Sequence, residues 1–215
     1  MNRTFSVPKL VLAPALVALA VTLLRLAGEL RGSPRPFVNR DVCGKAILGV
    51  VWLVPVFGIY FAAKLVALGY VPARLSRSFA YAATALMLKL AGTALIETSG
   101  IEYATRLIGN LSLTTAALVL SALAWRQLFQ LLLAYGYASR LPVAVVQFLA
   151  MRGHWGTHYD AFDPGFPAIG FWPTFIRTSL VPNVFFMEVY TVAVGLLFGL
   201  VWVFLTRRVA AEKAA

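Results

Sequence analysis

Two groups of residues in this 215-residue chain have the chemical means to do something beyond folding. The first is His154-x3-His158-x-Asp160-x2-Asp163, four lone-pair donors in one short segment. Ions such as zinc take imidazole nitrogens and carboxylate oxygens at about 2.0–2.2 Å. Two histidines four residues apart share one face of a helix. Gly153, Gly156 and Pro164 argue against a helix here, so the spacing loses that meaning. The expectation is a headgroup-level loop whose His and Asp bind backbone and water, with no bound metal. A metal or polar site on these four residues is the less favoured reading. No serine or cysteine lies in the segment as a nucleophile, so no triad is indicated.

The second group is Lys89, Arg126 and Glu188, ionisable residues inside long apolar stretches. Charges at such positions are costly and default to pairing or function. At the helical rise they lie about 16, 14 and 10 Å in from one end of their stretches. With five crossings those three ends share a face, so the charges are expected to converge there. Pairing of Glu188 with Arg126 or Lys89 is one outcome. The other is a pocket of net positive charge suited to an anionic headgroup or carboxylate, with Gln127 and Gln130 as further donors.

A third, weaker candidate is the basic loop carrying Arg31, Arg35, Arg40 and Lys45, which suits contact with anionic lipid headgroups. The same charges serve equally as an orientation signal. Cys43 is the single cysteine, which excludes an internal disulfide and any multi-cysteine metal or iron–sulfur centre.

The elements that must position these residues are apolar and long. Five stretches approach or exceed the roughly 17 residues that a membrane-spanning helix needs: 10–26, 46–68, 78–96, 113–135 and 181–205. The stretch 141–151 is too short to cross and reads as re-entrant or interfacial. The chain is 60% hydrophobic and 13% charged, with mean hydropathy +0.81. A water-soluble domain carries about twice that charged fraction. The expected fold is therefore an all-α polytopic transmembrane helix bundle, with about five spanning helices plus one short re-entrant or interfacial segment. It forms a single integral membrane domain over 1–215. The positively charged run before residue 10 also fits a signal peptide, but apolar character persists to Leu26, which favours a retained helix.

The net charge of +11 does not indicate nucleic acid, because the Lys and Arg residues sit in short loops between apolar stretches. Five crossings place the basic first loop and the C-terminal Arg207-Arg208 on one face, assigned to the cytoplasm, and the His segment on the other. The aromatic stretch from His154 to Trp172 is expected to lie ordered across the bundle mouth, with Trp155, Tyr159, Phe162, Phe166 and Phe171 at the interface. The expected partners are the lipid bilayer and other membrane subunits, in a bacterial-type inner membrane, with no cofactor. No motif specifies a reaction. A non-catalytic accessory or structural subunit, or a lipid-contacting protein, is the favoured reading. The alternatives are a small transporter or channel with a charged intramembrane pocket, and a membrane enzyme acting on a lipid-linked substrate through the His/Asp segment.

Overall fold

The computed structural model describes residues 5–42, 46–162 and 169–212, with side chains up to Arg207. Cys43, Lys45, Asp163 and Phe166 lie outside the described residues. The regular elements among the described residues are all helical: α1 (Val7–Leu30), α2 (Leu53–Ala67), α3 (Leu75–Thr98), α4 (Tyr103–Ala124), α5 (Arg126–Gly153), α6 (Phe171–Phe175) and α7 (Met187–Glu212). Two π-helical turns, Ile176–Leu180 and Pro182–Phe186, join α6 to α7, so Phe171–Arg207 is one continuous helical stretch. That stretch, α1, α3, α4 and α5 are each long and apolar enough to cross a membrane. The sixth apolar helix, α2, has 15 residues.

Burial is inverted relative to a soluble protein. Leu12, Leu24, Met87, Leu90, Leu95, Val119 and Leu123 point outwards. Arg25, Glu29, Lys89, Asn110, Arg140 and Glu188 are buried. Such an arrangement suits a solvent of lipid tails, where apolar side chains need no burial and charges turn inwards.

The core forms where small residues let helices approach. A Cβ on Gly58 would collide with the backbone of Gly195, which brings α2 directly against α7. Gly199 accommodates Leu128 and the Ala62 methyl, and Gly195 accommodates Leu132. Phe61, Leu65, Leu128, Leu131, Leu132, Tyr135, Leu196 and Leu200 fill the space between α2, α5 and α7. Tyr135 meets Phe57 and Phe61 edge-on within it, at centroid distances of 5.0 and 5.9 Å.

Helix directions follow from the contacts. Phe5, just before α1, meets Tyr70, just past α2, edge to face. Ser78 at the start of α3 donates a 2.5 Å hydrogen bond to the Ala124 carbonyl at the end of α4. Lys89 reaches Asn110 on α4 and the Phe186 ring before α7. Gln147 on α5 accepts from Asn183, whereas Leu128 on α5 meets Gly199. The six apolar helices therefore alternate in direction.

This alternation corrects three sequence-based expectations. The expected crossing at 113–135 is divided at Trp125, whose extended backbone (φ −160°, ψ 94°) separates α4 from α5. Hydropathy continues across this break, since neither proline nor glycine marks it. The segment 141–151 is not a separate re-entrant piece but the second half of the 28-residue helix α5, which carries Pro142 within it. Finally, the His segment does not lie opposite the first loop. It folds onto it, with His158 bonded to Glu29.

The fold makes a prediction about topology. Cysteines introduced at Ser33 and Ala211 should be labelled by an impermeant reagent from opposite faces of the membrane. Labelling of both from one face would require an odd number of crossings and contradict the alternation.

Candidate functional site: a buried carboxylate and a polar seam

Glu188 stands in the first turn of α7, immediately after the two π-helical turns. It is fully buried. Its carboxylate lies against the backbone of α5 at Gly136, where any Cβ would overlap it. Its neighbour Val189 packs on Ala85 and Ala117, in the middle portions of α3 and α4. Neither Glu188 oxygen has a hydrogen-bond partner among the described residues. The Tyr135 hydroxyl and the Arg140 Nε share that condition, and both residues are buried. Arg140 is the cation whose charge acts on Glu188, without an ion-pair contact between them. A buried carboxylate without donors costs several kcal/mol, and Arg140 at a distance recovers only part of that.

A line of polar groups leads from this carboxylate to one end of the bundle. On α5, Gly136, Arg140, Ala144, Gln147 and Met151 recur every three or four residues and so share one helix face. Opposite them, the π-helical turns present Asn183 and Ser179, both buried. Asn183 Nδ2 donates to Gln147 Oε1 at 2.7 Å and to the Ser179 carbonyl at 2.8 Å. The Ser179 hydroxyl meets Met151 Sδ at 3.7 Å. Met151 in turn lines an open cleft of about 370 Å³ with Arg152, His154, Asp160, Phe162, Gly170, Phe171 and Thr174. π-helical turns occur rarely and often at functional sites. Here they turn Ser179 and Asn183 towards α5.

The expected cluster of Lys89, Arg126 and Glu188 does not assemble. Lys89 is buried, but Nζ donates to Asn110 Oδ1 at 3.3 Å and sits 4.5 Å from the Phe186 ring centroid. Asn110 also accepts from Thr93 and donates to Glu97, which pairs with Arg106 at 3.4 Å. Arg126 is the first residue of α5 and is exposed at the opposite end from the His segment, because the break at Trp125 removes it from mid-span. Gln130 is exposed and Gln127 half-buried. The cation that acts on Glu188 is Arg140, which the sequence places beside Leu141-Pro142 and which therefore reads as a loop residue.

The His segment is held by a buried carboxylate at the end of α1. Glu29, in the last turn of α1, is fully buried. Its carboxylate accepts from Arg25 Nε at 2.8 Å, from the His158 backbone N–H at 2.9 Å and from His158 Nδ1 at 2.7–2.8 Å. Arg40 Nη2 donates to the Glu29 carbonyl and Arg25 Nη2 to the Asn39 carbonyl. The Tyr159 ring lies tilted against His158, and its hydroxyl donates to the Thr22 carbonyl at 3.2 Å. Asp160 closes the turn by accepting from the Gly156 and Thr157 backbone and from the Thr157 hydroxyl. His154, with φ 49°, caps α5 in the left-handed conformation and faces the cleft with Asp160, whereas His158 turns to Glu29. In the first loop, Arg35 pairs with Asp41 at the surface and Arg31 is exposed. Of the aromatic residues expected at the interface, Tyr159 is buried while Trp155 and Phe162 are exposed.

With this geometry in hand, comparison with known proteins adds no identity: no family model, no curated protein and no solved structure matches the chain.

Burial holds His158 below the ordinary histidine value of 6.5. Arg25 acts in the same direction, and the hydrogen bond to Glu29 opposes them without cancelling. The neutral imidazole, donating from Nδ1, is thus the form the clamp favours. An unfolded chain takes up its proton near pH 6.5 and the folded one only at lower pH, so this contribution to stability is complete above about pH 6.5 and is lost as pH falls below it. Thermal unfolding in detergent should show that acid loss, and His158→Gln should flatten it. An unchanged slope in the variant would assign the acid sensitivity elsewhere. Glu29→Leu alone removes the carboxylate that faces Arg25 and His158 and should cost about 3–5 kcal/mol. Adding Arg25→Leu should recover most of the loss, and failure to recover would mean that the pair is not the unit of stability.

Proposed function

We propose that this chain is a small integral membrane carrier in which Glu188 is the proton-binding group. The observation that carries the reading is a fully buried carboxylate, with neither oxygen partnered among the described residues, inside a lipid-facing bundle. Evolution does not need such a group for packing, since an apolar side chain of similar size serves better in a bundle core. Intramembrane acids of this kind characterise proton relays and coupled transport. A proton suits the site better than a metal cation does. A hard cation needs several oxygen ligands, and Arg140 repels one electrostatically. A proton needs a single oxygen and neutralises it.

The polar seam supports the same reading. It sets Arg140, Gln147, Asn183 and Ser179 along the α5–α7 contact between Glu188 and the cleft beside His154, whereas the core side of that contact is apolar. The π-helical turns that form half of the seam include Pro182, which has no N–H to contribute to a helical hydrogen bond. That stretch is the part of the α6–α7 helix best suited to change its winding.

A specific observation also favours the enzyme reading. The His158 Nδ1 is held by a buried carboxylate, an arrangement that orients an imidazole as a base at its other nitrogen. Arg40 and Arg35 stand in the adjoining loop and suit an anionic headgroup.

Reconstituted vesicles distinguish these readings. With a trapped pH indicator and a mixture of small solutes outside, the wild type should show solute-dependent proton entry, and Glu188→Gln should not. His158→Gln should retain it. Proton entry that survives Glu188→Gln, or is lost only with His158→Gln, would overturn the carrier proposal.

A further inference from the structure

We infer that Arg140 is the binding site for a small monovalent anion, a carboxylate or a halide, and that the anion enters together with the proton on Glu188. This inference rests on the proposal that Glu188 binds a proton. It follows from charge accounting in a buried site. Arg140 is 6% exposed, and among the described residues its Nε has no hydrogen-bond partner and its guanidinium makes no ion pair. While Glu188 is ionised, the two charges balance at a distance. Once Glu188 takes a proton, the guanidinium is a buried cation with nothing opposite it. A lone buried charge is costly and calls for a counter-charge. A small anion supplies that charge and also the acceptor that the Arg140 Nε lacks. A guanidinium fork matches a carboxylate in two parallel hydrogen bonds. Binding of one proton and one anion leaves the site electrically neutral, as it was before.

The surroundings agree in sign. From α5, Arg140 and Tyr137 interact with Glu188, and Tyr135 on α5 and Tyr190 on α7 interact with Arg140. On α3, Lys89 turns to Asn110 and Phe186 instead, and the α2 lysine, Lys64, lies over Tyr60 at the surface. The α4 residues packed here, Thr114, Ala117 and Ser121, carry no charge. Arg140 is thus the cation of this site among the described residues. The Tyr135 hydroxyl, also unpartnered, supplies a further donor beside it. At the cleft, Arg152 and His154 present positive or hydrogen-bonding edges to an anion, and Gln147, Asn183 and Ser179 stand between the cleft and Arg140 along the α5 face. Asp160 at the cleft already has its carboxylate engaged by Gly156 and Thr157.

The test uses purified full-length protein in mild detergent and weak buffer, with sodium chloride and sodium acetate as separate probes and sodium gluconate as the bulky control. Calorimetry reads anion binding and a pH electrode reads the accompanying proton uptake. For at least one of the small anions, the wild type should bind one anion with about one proton taken up, and affinity should fall about tenfold per pH unit above the transition. Which anion binds separates a carboxylate site from a halide site. Glu188→Gln, a permanent stand-in for the neutral acid, should bind the same anion without proton uptake and without pH dependence. Arg140→Gln should lose the anion while an acid pulse still loads Glu188 with its proton. Arg140→Lys, which keeps the charge, should bind with reduced affinity and guards against a folding defect in the glutamine variant. Proton loading of Glu188 with no binding of either anion would overturn this inference alone. Anion binding with no proton uptake in the wild type would overturn the coupling and the proton-binding role of Glu188 with it. Binding undiminished in Arg140→Gln would exclude Arg140 as the site.

Discussion

The constraint on which this molecule turns is the solvation of one acid. Glu188 is fully buried with no protein donor among the described residues, and the helices pack around it. Gly136 is a glycine because a side chain there would occupy the carboxylate's space. The segment just before Glu188 is wound as two π turns rather than as α-helix, which aims Asn183 and Ser179 at α5. Elsewhere α7 packs through glycine and aliphatic contacts with α2 and α5, the ordinary close approach of membrane helices. The protein thus combines a tight apolar half, built on Gly58, Gly195 and Gly199, with a polar half running from Glu188 to the end of the bundle.

That end is closed by a second buried acid treated in the opposite way. Glu29 has donors on both oxygens from Arg25 and His158, and it fastens the loop after α5 to the last turn of α1. A fully satisfied buried carboxylate rigidifies what it touches, whereas an unsatisfied one stores energy that binding can release. The first holds the loop beside the cleft in place. The second lies at the inner end of the seam that the cleft opens.

The membrane character and the all-helical class were legible in composition and in the long apolar stretches, because lipid imposes length and hydropathy on each helix directly. Glu188 and Lys89 were legible as buried charges for the same reason. What hydropathy does not encode is where one helix ends and the next begins when no proline or glycine intervenes. The break at Trp125 depends on the geometry of a single residue, and the apparent break at Arg140-Leu141-Pro142 is bridged because Pro142 is tolerated within α5. Those two misplacements moved Arg126 into the bundle and Arg140 out of it, which exchanged the cation that accompanies Glu188. Glu29 was hidden for another reason. Its partner His158 is 129 residues away, and nothing local marks a tertiary clamp. A signal was present in retrospect: Arg25 and Glu29 stand four apart, the spacing of a helical ion pair, at the end of an apolar stretch.

The most direct measurement is the infrared difference spectrum of the protein in vesicles across an acid-to-neutral titration, with Glu188→Gln as the reference. A protonated carboxylic acid in an apolar site gives a carbonyl stretch well resolved from the amide bands. If Glu188 is the proton-binding group, the wild type will show one such band that titrates, shifts in heavy water and disappears in Glu188→Gln. If the two proteins give the same spectrum at every pH, Glu188 does not exchange a proton in this range, and the account built on it is wrong.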